Sequence, residues 1–295
     1  MCVCQRLRAP DLKWISESRR SVLCSPPTAV NESTSPEKMS ATLLVGLRIS
    51  GLMTRTRGWS HASGKLDHTV NAPLAVEAID LERTYASGHT TVAALAGVTL
   101  GIRRGEFVAV MGPSGSGKST LLNIVAGLER PTGGTVRVDG EDLAKLDEEA
   151  LSRHRSRRVG MIFQAFNLLP RFRVVENVAL PLAFSGVPAS ERLRRARTML
   201  QRLGMGARAD HRSNELSGGE LQRAAVARAL IGDPAILLAD EPTGNLDSVN
   251  GAALISLFEE LHSHGQTVLL VTHDAQIASH ADRTIRMRDG LVVDA

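Results

Sequence analysis

Short apolar runs alternate with amphipathic segments along most of this chain of 295 residues. Runs with the length and composition of buried strands cover 76–81, 98–102, 107–111, 135–138, 235–239 and 267–271. Apolar residues recur at helical spacing over 190–203, 221–230 and 254–261. Because strands alternate with helices, we predict an α/β fold with parallel strands at the centre of its sheet. The mostly helical block over 165–230 predicts an inserted subdomain.

The chain before residue 75 lacks this periodicity. It is rich in Ser, Thr, Pro and Arg, as in Ser25-Pro26-Pro27-Thr28 and Ser33-Thr34-Ser35-Pro36. Segments of this composition bury too little apolar surface to offset the entropy lost on ordering. We therefore predict a disordered basic extension over 1–75 and a globular domain over 76–295. A later start at Met39 stays open, as does any role of the extension.

Charge divides the chain at the same place. Residues 1–75 hold ten Lys or Arg and five Asp or Glu, whereas residues 76–295 hold 25 and 26. The globular part is therefore close to neutral, which argues against nucleic acid as a partner. The arginines at 153, 155, 157 and 158 are interpreted as a solvated basic face, with nucleic-acid binding as the less favoured alternative.

Cysteines and long apolar runs restrict the location. Cys2, Cys4 and Cys24 are the only cysteines, so the globular part has no disulfide, as expected in a reducing compartment. The longest candidate for a membrane span, Ala41 to Met53, is interrupted by Arg48 and is shorter than the roughly 20 residues required. The first 30 residues lack the apolar core of a signal peptide. We expect a chain that neither leaves the cell nor enters a membrane on its own.

A glycine-rich loop carries the clearest chemical signal. It reads Gly112-Pro113-Ser114-Gly115-Ser116-Gly117-Lys118-Ser119 and lies between the apolar run 107–111 and a helical segment beginning near Thr120. In this context the backbone N–H groups of the loop and the start of the helix face phosphate oxygens. Lys118 then serves the β- and γ-phosphates, and Ser119 offers a hydroxyl to Mg²⁺. The loop predicts binding of a nucleoside triphosphate.

Two carboxylates end another apolar run. Asp240 and Glu241 directly follow Ile236-Leu237-Leu238-Ala239, and α/β sheets bind ligands at such strand ends. We assign Asp240 to Mg²⁺, opposite Ser119, because Mg²⁺ prefers oxygen ligands. Glu241 comes one residue later, so its side chain points elsewhere, and we assign it to polarising the attacking water.

A second anion site is predicted at Ser217-Gly218-Gly219, where a helix begins. Free backbone N–H groups and the positive end of the helix favour a phosphate there. Because the loop at 112–119 already serves the nucleotide, this second site suggests that another subunit completes the same nucleotide site.

Ser217 to Glu220, followed by Leu221-Gln222-Arg223, resembles the signature motif of ABC transporter ATPase subunits. The glycine-rich loop and the strand ending in Asp240 match that family in the same order, and the resemblance covers 76–295. It implies a P-loop NTPase fold of ABC type, with a central mixed sheet, an antiparallel β edge and an inserted helical subdomain. It also implies roles for five further residues. Gln164 is expected near Mg²⁺ and the attacking water and links the site to the membrane partner, while His273 contacts the γ-phosphate. Asp247 lies at the dimer interface, Tyr85 stacks on adenine, and Thr120 binds the phosphates together with the loop.

The resemblance implies a function as well. Such subunits hydrolyse ATP with Mg²⁺, dimerise with a second copy around two ATP molecules, and drive an integral membrane permease from the cytoplasmic face of the membrane. Phe163 to Pro170 is similar to the lipoprotein-release and macrolide-export branch and to the related cell-division ATPase. Glu220 stands where many members have Gln, and Gly244-Asn245 stands where others have Ser-Ala. Neither difference removes a group with an assigned chemical role.

Two alternatives remain at this point. A soluble ABC ATPase acting on DNA or ribosomes usually has two cassettes or a long coiled-coil insert, and this chain has one cassette and no such insert. A regulatory module of the cell-division type would instead use ATP to signal to a membrane partner without moving cargo. The sequence does not distinguish that module from a transporter subunit, and it identifies neither cargo, direction nor permease.

Overall fold

The computed structural model describes residues 73–87 and 90–294, all within one unit of the chain. The extension predicted over 1–75 lies almost entirely outside these residues. The strands are β1 (Leu74–Ser87), β2 (Thr90–Arg103), β3 (Phe107–Met111), β4 (Gly133–Val138), β5 (Glu141–Asp142), β6 (Val159–Phe163), β7 (Ile236–Asp240), β8 (Thr267–Val271), β9 (Arg283–Arg288) and β10 (Leu291–Asp294). The α-helices are α1 (Lys118–Val125), α2 (Glu148–Arg158), α3 (Val174–Phe184), α4 (Ala189–Arg202), α5 (Gly218–Leu230), α6 (Ser248–Ser263) and α7 (Ala275–Ala278).

The central sheet has the strand order β10-β9-β3-β8-β7-β6. Five of these strands run parallel, and β10 is antiparallel to β9 at one edge. Every residue of β8 is buried, and β3 and β7 are buried except at their last residue. Parallel strands covered on both faces are expected to be apolar in this way. The predicted parallel centre is confirmed.

A second sheet has the order β2-β1-β4-β5 and is antiparallel throughout. Together the two sheets confirm the predicted mixed α/β architecture with an antiparallel part. Alternate residues of β7 belong to different cores, with Leu238 on the face that packs against the antiparallel sheet and α1. Leu237 lies on the opposite face, which packs against α6 and the helical subdomain.

The helical block consists of α3, α4 and α5. Val178, Leu200 and Val226 come from these three helices and are completely buried in one core with Leu237 and Leu270 of the sheet. The subdomain is therefore joined to the sheet by a continuous apolar core. No helix in the described part of the chain is both long enough and apolar enough to cross a membrane.

Several elements differ from those the sequence predicted. The antiparallel hairpin of β1 and β2 extends well beyond 76–81 and 98–102, since long strands of this sheet carry polar residues on an exposed face. Helix α2 was interpreted only as a basic face, because Leu151 and His154 are its only buried residues. Strand β9 was missed although Ile285 and Met287 alternate with exposed arginines, a period-two pattern.

Candidate functional site

The glycine-rich loop connects β3 to α1 at the carboxyl-terminal edge of the central sheet. Two of its glycines are required by the close approach of other backbone. A β-carbon on Gly112 would lie 2.2 Å from the carbonyl oxygen of Met287, and one on Gly117 would lie 2.3 Å from that of Ala94. Gly117 also has a φ of 96°, a conformation that favours glycine. The loop is thus held by β2 and by the end of β9.

The loop forms one wall of a cavity of about 680 Å³, named here the phosphate cavity. Its lining residues are Ala94, Gly112, Pro113, Ser114, Gly115, Gly117, Lys118, Ser119, Thr120, Glu241 and His273. Lys118 is 7% exposed, and its Nζ donates to the carbonyl oxygens of Gly112 at 2.9 Å and Pro113 at 2.8 Å. Ser116 has a buried Oγ with no hydrogen-bond partner among the described residues. These polar groups fit a polyphosphate.

Ser119 and Asp240 come together as the sequence predicted. The Oγ of Ser119 donates to Oδ1 of Asp240 at 3.3 Å, although the residues are 121 positions apart. Burial raises the pKa of Asp240, and the neighbouring carboxylate of Glu241 raises it further. A cation bound between the hydroxyl and the carboxylate would favour the ionised form. This pair of oxygen ligands fits Mg²⁺, which typically takes one or two protein oxygens beside phosphates and water.

Glu241 and His273 lie on the opposite wall of the phosphate cavity. Oε1 of Glu241 is 3.2 Å from Nδ1 of His273. Glu241 has a φ of 43°, and its backbone N–H donates to the carbonyl of Val271 at 3.0 Å. A non-glycine residue in this conformation is strained, and such strain is concentrated at functional sites. Glu241 lines the cavity, whereas the preceding Asp240 is not among the lining residues.

Gln164 follows β6 directly, and Phe163 before it pairs with Asp240 in the sheet. The side chain of Gln164 is not among the groups that line the phosphate cavity. Its carbonyl oxygen accepts a hydrogen bond from Nδ2 of Asn245 at 2.9 Å. Its amide lies against Gly244, where an added β-carbon would be 2.6 Å from Nε2. The predicted Mg²⁺ and water role of Gln164 stays a prediction.

Ser217 caps the N-terminus of α5 in a reciprocal arrangement. Its backbone N–H donates to the carboxylate of Glu220 at 2.9 Å, and its Oγ accepts from the backbone N–H of Glu220. Arg208 pairs with the same carboxylate at 2.8 Å. The N–H of Ser217 and the guanidinium of Arg208 lower the pKa of Glu220 from 4.5 to about 2. Glu220 therefore stabilises the start of α5.

Ser217, Gly218 and Gly219 do not line the phosphate cavity of their own chain. Gly219 instead contacts the start of α6, since an added β-carbon would lie 2.1 Å from Oδ1 of Asn250. Asn250 in turn donates twice to the carboxylate of Asp247, from N at 2.8 Å and from Nδ2 at 2.7 Å. These bonds lower the pKa of Asp247. The signature and Asp247 thus form one exposed face, separate from the phosphate loop.

Tyr85 lies on β1 and outside the phosphate cavity. The guanidinium of Arg83 covers one face of its ring at 4.6 Å from the centroid, and the Tyr85 hydroxyl donates to Glu129. Its predicted contact with adenine stays a prediction, with one ring face already covered.

A second cavity of about 550 Å³ lies between the central sheet and the helical subdomain, and we name it the apolar groove. Its lining residues are Ala126, Leu128, Ser152, Arg155, Ser156, Val159, Gly160, Met161, Phe163, Asn167, Leu169, Leu180, Pro181, Phe184, Arg228, Ala229, Gly232 and Pro234. Phe184 is 72% exposed at its rim. No motif indicated the groove, because its residues come from several distant segments.

Arg228 anchors the segment that follows Gln164. Its guanidinium donates to the carbonyl of Phe166 at 2.7 Å and to that of Asn167. Both of these residues have a positive φ, 55° and 50°. Burial lowers the pKa of Arg228. In the described part of the chain, neither Arg228 nor Arg155 forms an ion pair, and none of the groove's lining residues is acidic.

Several known proteins are similar to this chain. Residues 95–244 match the model of the family described as ABC transporter. The chain is 50% identical to the macrolide export ATP-binding/permease protein MacB of Rhodospirillum rubrum, over 75% of this chain and 34% of that protein. It is 46% identical to an uncharacterized ABC transporter ATP-binding protein of Thermotoga maritima, over 74% of this chain and 93% of that protein.

A solved structure is also similar. It is the dimeric post-hydrolysis state of the ATP-binding cassette MJ0796 bound to ADP and Pi, with a TM-score of 0.69 and 42% identity. The match covers 74% of this chain and 97% of that one. The chain spans about a third of the length of the MacB proteins that it matches.

Proposed function

This chain belongs to the ABC transporter family, whose ATP-binding domains bind and hydrolyse ATP, and from that premise we propose that it closes as a dimer around two ATP molecules to drive a membrane permease. The observation that carries the proposal is that the predicted nucleotide-binding residues of one chain lie in two separate places. Lys118, Glu241 and His273 surround the phosphate cavity, whereas Ser217 and Gly218 lie outside it and expose the start of α5.

The residues of the phosphate cavity have different roles in ATP hydrolysis. The backbone of the loop and Lys118 hold the β- and γ-phosphates, so that charge on the transferred group meets fixed dipoles and a cation. Glu241 orients the attacking water and accepts its proton, while His273 holds Glu241 and contacts the γ-phosphate. Mg²⁺, held by Ser119 and Asp240 with Gln164 nearby, supplies charge neutralisation when bound.

The second half of each site comes from the other subunit. Ser217-Gly218-Gly219 of one copy reaches the γ-phosphate held by the loop of its partner, and Asp247 contributes to the same interface. The exposed helix start and the absence of these residues from their own cavity support this arrangement. The similar cassette MJ0796, bound to ADP and Pi, is described as a dimer.

The apolar groove is the docking site that we assign to the permease. Exposed Leu128, Leu169 and Phe184 provide apolar contacts, and Arg155 and Arg228 have no carboxylate partner among the described residues. A permease segment with an apolar face and an acidic residue complements this surface. Relatives named ATP-binding/permease protein carry both functions, whereas the Thermotoga relative matches over 93% of its own length. We propose an integral membrane permease as the partner, with this subunit on the cytoplasmic face of the membrane.

We favour transport of the export or lipoprotein-release type over the regulatory alternative. The names of the MacB relatives include macrolide export. A regulatory module of the cell-division type would share the cassette, but none of these names indicates one.

A mixture of two inactive variants tests the dimer. Lys118→Ala disables the loop of its own chain, and Ser217→Arg obstructs the site of its partner. In a mixed dimer both defects fall on one composite site, and the other site is intact. We expect an equal mixture to hydrolyse ATP faster than either variant alone, with Ser263→Arg, on the far end of α6, as the matched control for the second substitution. A mixture no more active than its components would contradict the shared site.

A further inference from the structure

The loop that follows Glu241 touches Gln164 at two places. Nδ2 of Asn245 donates to the main-chain carbonyl of Gln164 at 2.9 Å, across 81 positions of sequence. The turn before it is closed by a hydrogen bond from the N–H of Gly244 to the carbonyl of Glu241, at 3.0 Å. An added β-carbon on Gly244 would lie 2.6 Å from Nε2 of Gln164 and 3.2 Å from its Cδ.

Gly244 is required here by space and not by backbone conformation. It is not among the residues with a positive φ, so its backbone is open to any amino acid. The close atoms belong to the far end of one flexible side chain, that of Gln164. An alanine at this position would therefore leave the backbone in place and displace only the amide. The amide of Gln164 rests in the space of the missing side chain.

We propose that Gly244 and Asn245 are positioning residues for Gln164. Asn245 holds the main chain of Gln164 at the end of β6, and Gly244 provides a resting place for its amide outside the phosphate cavity. The proposal rests on the proposed function, in which Gln164 serves Mg²⁺ and the attacking water.

The amide of Gln164 cannot occupy its resting position over Gly244 and serve Mg²⁺ and the attacking water at the same time. When a binding-competent state is populated only part of the time, the apparent dissociation constant rises in proportion. A resting amide therefore raises the Mg²⁺ concentration that the site requires. The same loop continues to Asp247 at the start of α6, on the face assigned to the dimer. Movement of this loop when two copies meet would release the amide of Gln164 at the moment that both sites are complete.

Gly244→Ala tests this directly in the purified full chain. We expect the Mg²⁺ concentration for half-maximal ATPase activity to fall about threefold, because the resting state is removed. The same shift is expected in Mg²⁺-dependent binding of a fluorescent ATP analogue to a Glu241→Gln background, which does not depend on turnover. Gly251→Ala is the matched control, since its added β-carbon meets only Thr243 at 3.8 Å, an ordinary contact. A merely structural role would shift the melting temperature and leave the Mg²⁺ requirement unchanged.

Two further variants separate this inference from the function on which it rests. Gln164→Ala alone should raise the Mg²⁺ requirement; if it does not, the assigned role of Gln164 fails, and the positioning proposal fails with it. Where Gln164→Ala does act, Gly244→Ala should have no further effect in that background. The positioning proposal, but not the role of Gln164, would be overturned if Gly244→Ala left the Mg²⁺ requirement unchanged. It would also be overturned if Gly244→Ala shifted that requirement equally in the parent chain and in the Gln164→Ala background. Asn245→Ala should raise the requirement, also about threefold, by releasing the main chain of Gln164.

Discussion

The phosphate cavity and the apolar groove share no lining residue, and they are built differently. Most of the cavity comes from one continuous loop, Gly112 to Thr120, with Glu241 and His273 added from two neighbouring strand ends. The groove takes its walls from short pieces spread between Ala126 and Pro234. A site that binds one phosphate chain needs consecutive backbone N–H groups, whereas an apolar surface needs only residues that meet in space.

The two regions also differ in whether their charged groups have partners within the chain. In the phosphate cavity, the main charged groups contact each other or the loop: Glu241 meets His273, and Lys118 lies against loop carbonyls. In the groove, Arg155 and Arg228 donate only to carbonyl oxygens among the described residues. The charged groups of the first region have partners within the described chain, whereas the second region carries unbalanced positive charge. We therefore propose the groove, with its unpaired arginines, as the docking surface for another kind of protein.

The largest expected effect tests the cavity. Glu241→Gln removes the proton acceptor but keeps the shape of the side chain, and loss of one general base costs about 10²–10⁴-fold in rate. We expect ATP binding to be retained and an ATP-bound dimer to accumulate, measured by steady-state ATPase assay and by size-exclusion chromatography with ATP.

Glu259→Gln is the matched control, because Glu259 also pairs with a histidine, His280, at 2.8 Å, but on the exposed surface of α6 and away from the cavity. Near-normal turnover in Glu241→Gln, or an equal loss in both variants, would remove Glu241 from the role of base.

An intermediate effect tests the groove. Phe184→Asp places a negative charge on an exposed rim residue of the groove, at no cost to the core. Truncation of a central aromatic contact commonly weakens an interface by about tenfold or more. We expect the fraction of the chain that sediments with membranes of its own host to fall, while ATPase activity of the purified chain is unchanged.

Val92→Asp is the control here, since Val92 is 55% exposed on the antiparallel sheet, away from the groove. Leu168, which lies in the segment after Gln164, is a less suitable position for an Asp substitution. It packs against the main core, and a charge there would lower the stability of the chain. Unchanged sedimentation of Phe184→Asp would show that the permease does not use this surface.

The smallest effect concerns α5, which runs from the exposed signature face to the groove. Its last turn carries Arg228 at the groove, and its first turn carries Glu220, whose pKa is lowered from 4.5 to about 2. Because the folded pKa is below the ordinary value, the stability from this carboxylate is fully present above pH 4.5 and is lost as the pH falls toward 2.

Glu220→Gln should therefore lower stability by about 1 kcal/mol or less at neutral pH, with a difference from the parent chain that shrinks on acidification. Melting temperatures between about pH 6 and about pH 3 measure this. Glu149→Gln, which alters an exposed pair with Arg153, serves as the control. A difference that is independent of pH would contradict the assigned ion pair of Glu220.

Much of the fold followed from sequence pattern. The run Thr267 to Val271 is the observed strand β8. The helix predicted over 221–230 ends at Leu230 as α5 does, although α5 already begins at Gly218. Buried parallel strands are short and wholly apolar, which makes their signal strong. Strand β9 and helix α2 were missed, because each presents only two buried residues to the core. Their exposed arginines dominate the local composition.

The sequence by itself determined the phosphate loop, the carboxylates at the end of β7 and the signature at the start of α5, since each is a run of consecutive residues with a recognisable local pattern. Only the tertiary structure decided which atoms meet across long separations. It brings Asn245 to the main-chain carbonyl of Gln164, leaves room for the Gln164 amide over Gly244, and assembles the apolar groove. No local pattern encodes these contacts, because they depend on how β6, β7 and the helical subdomain pack together.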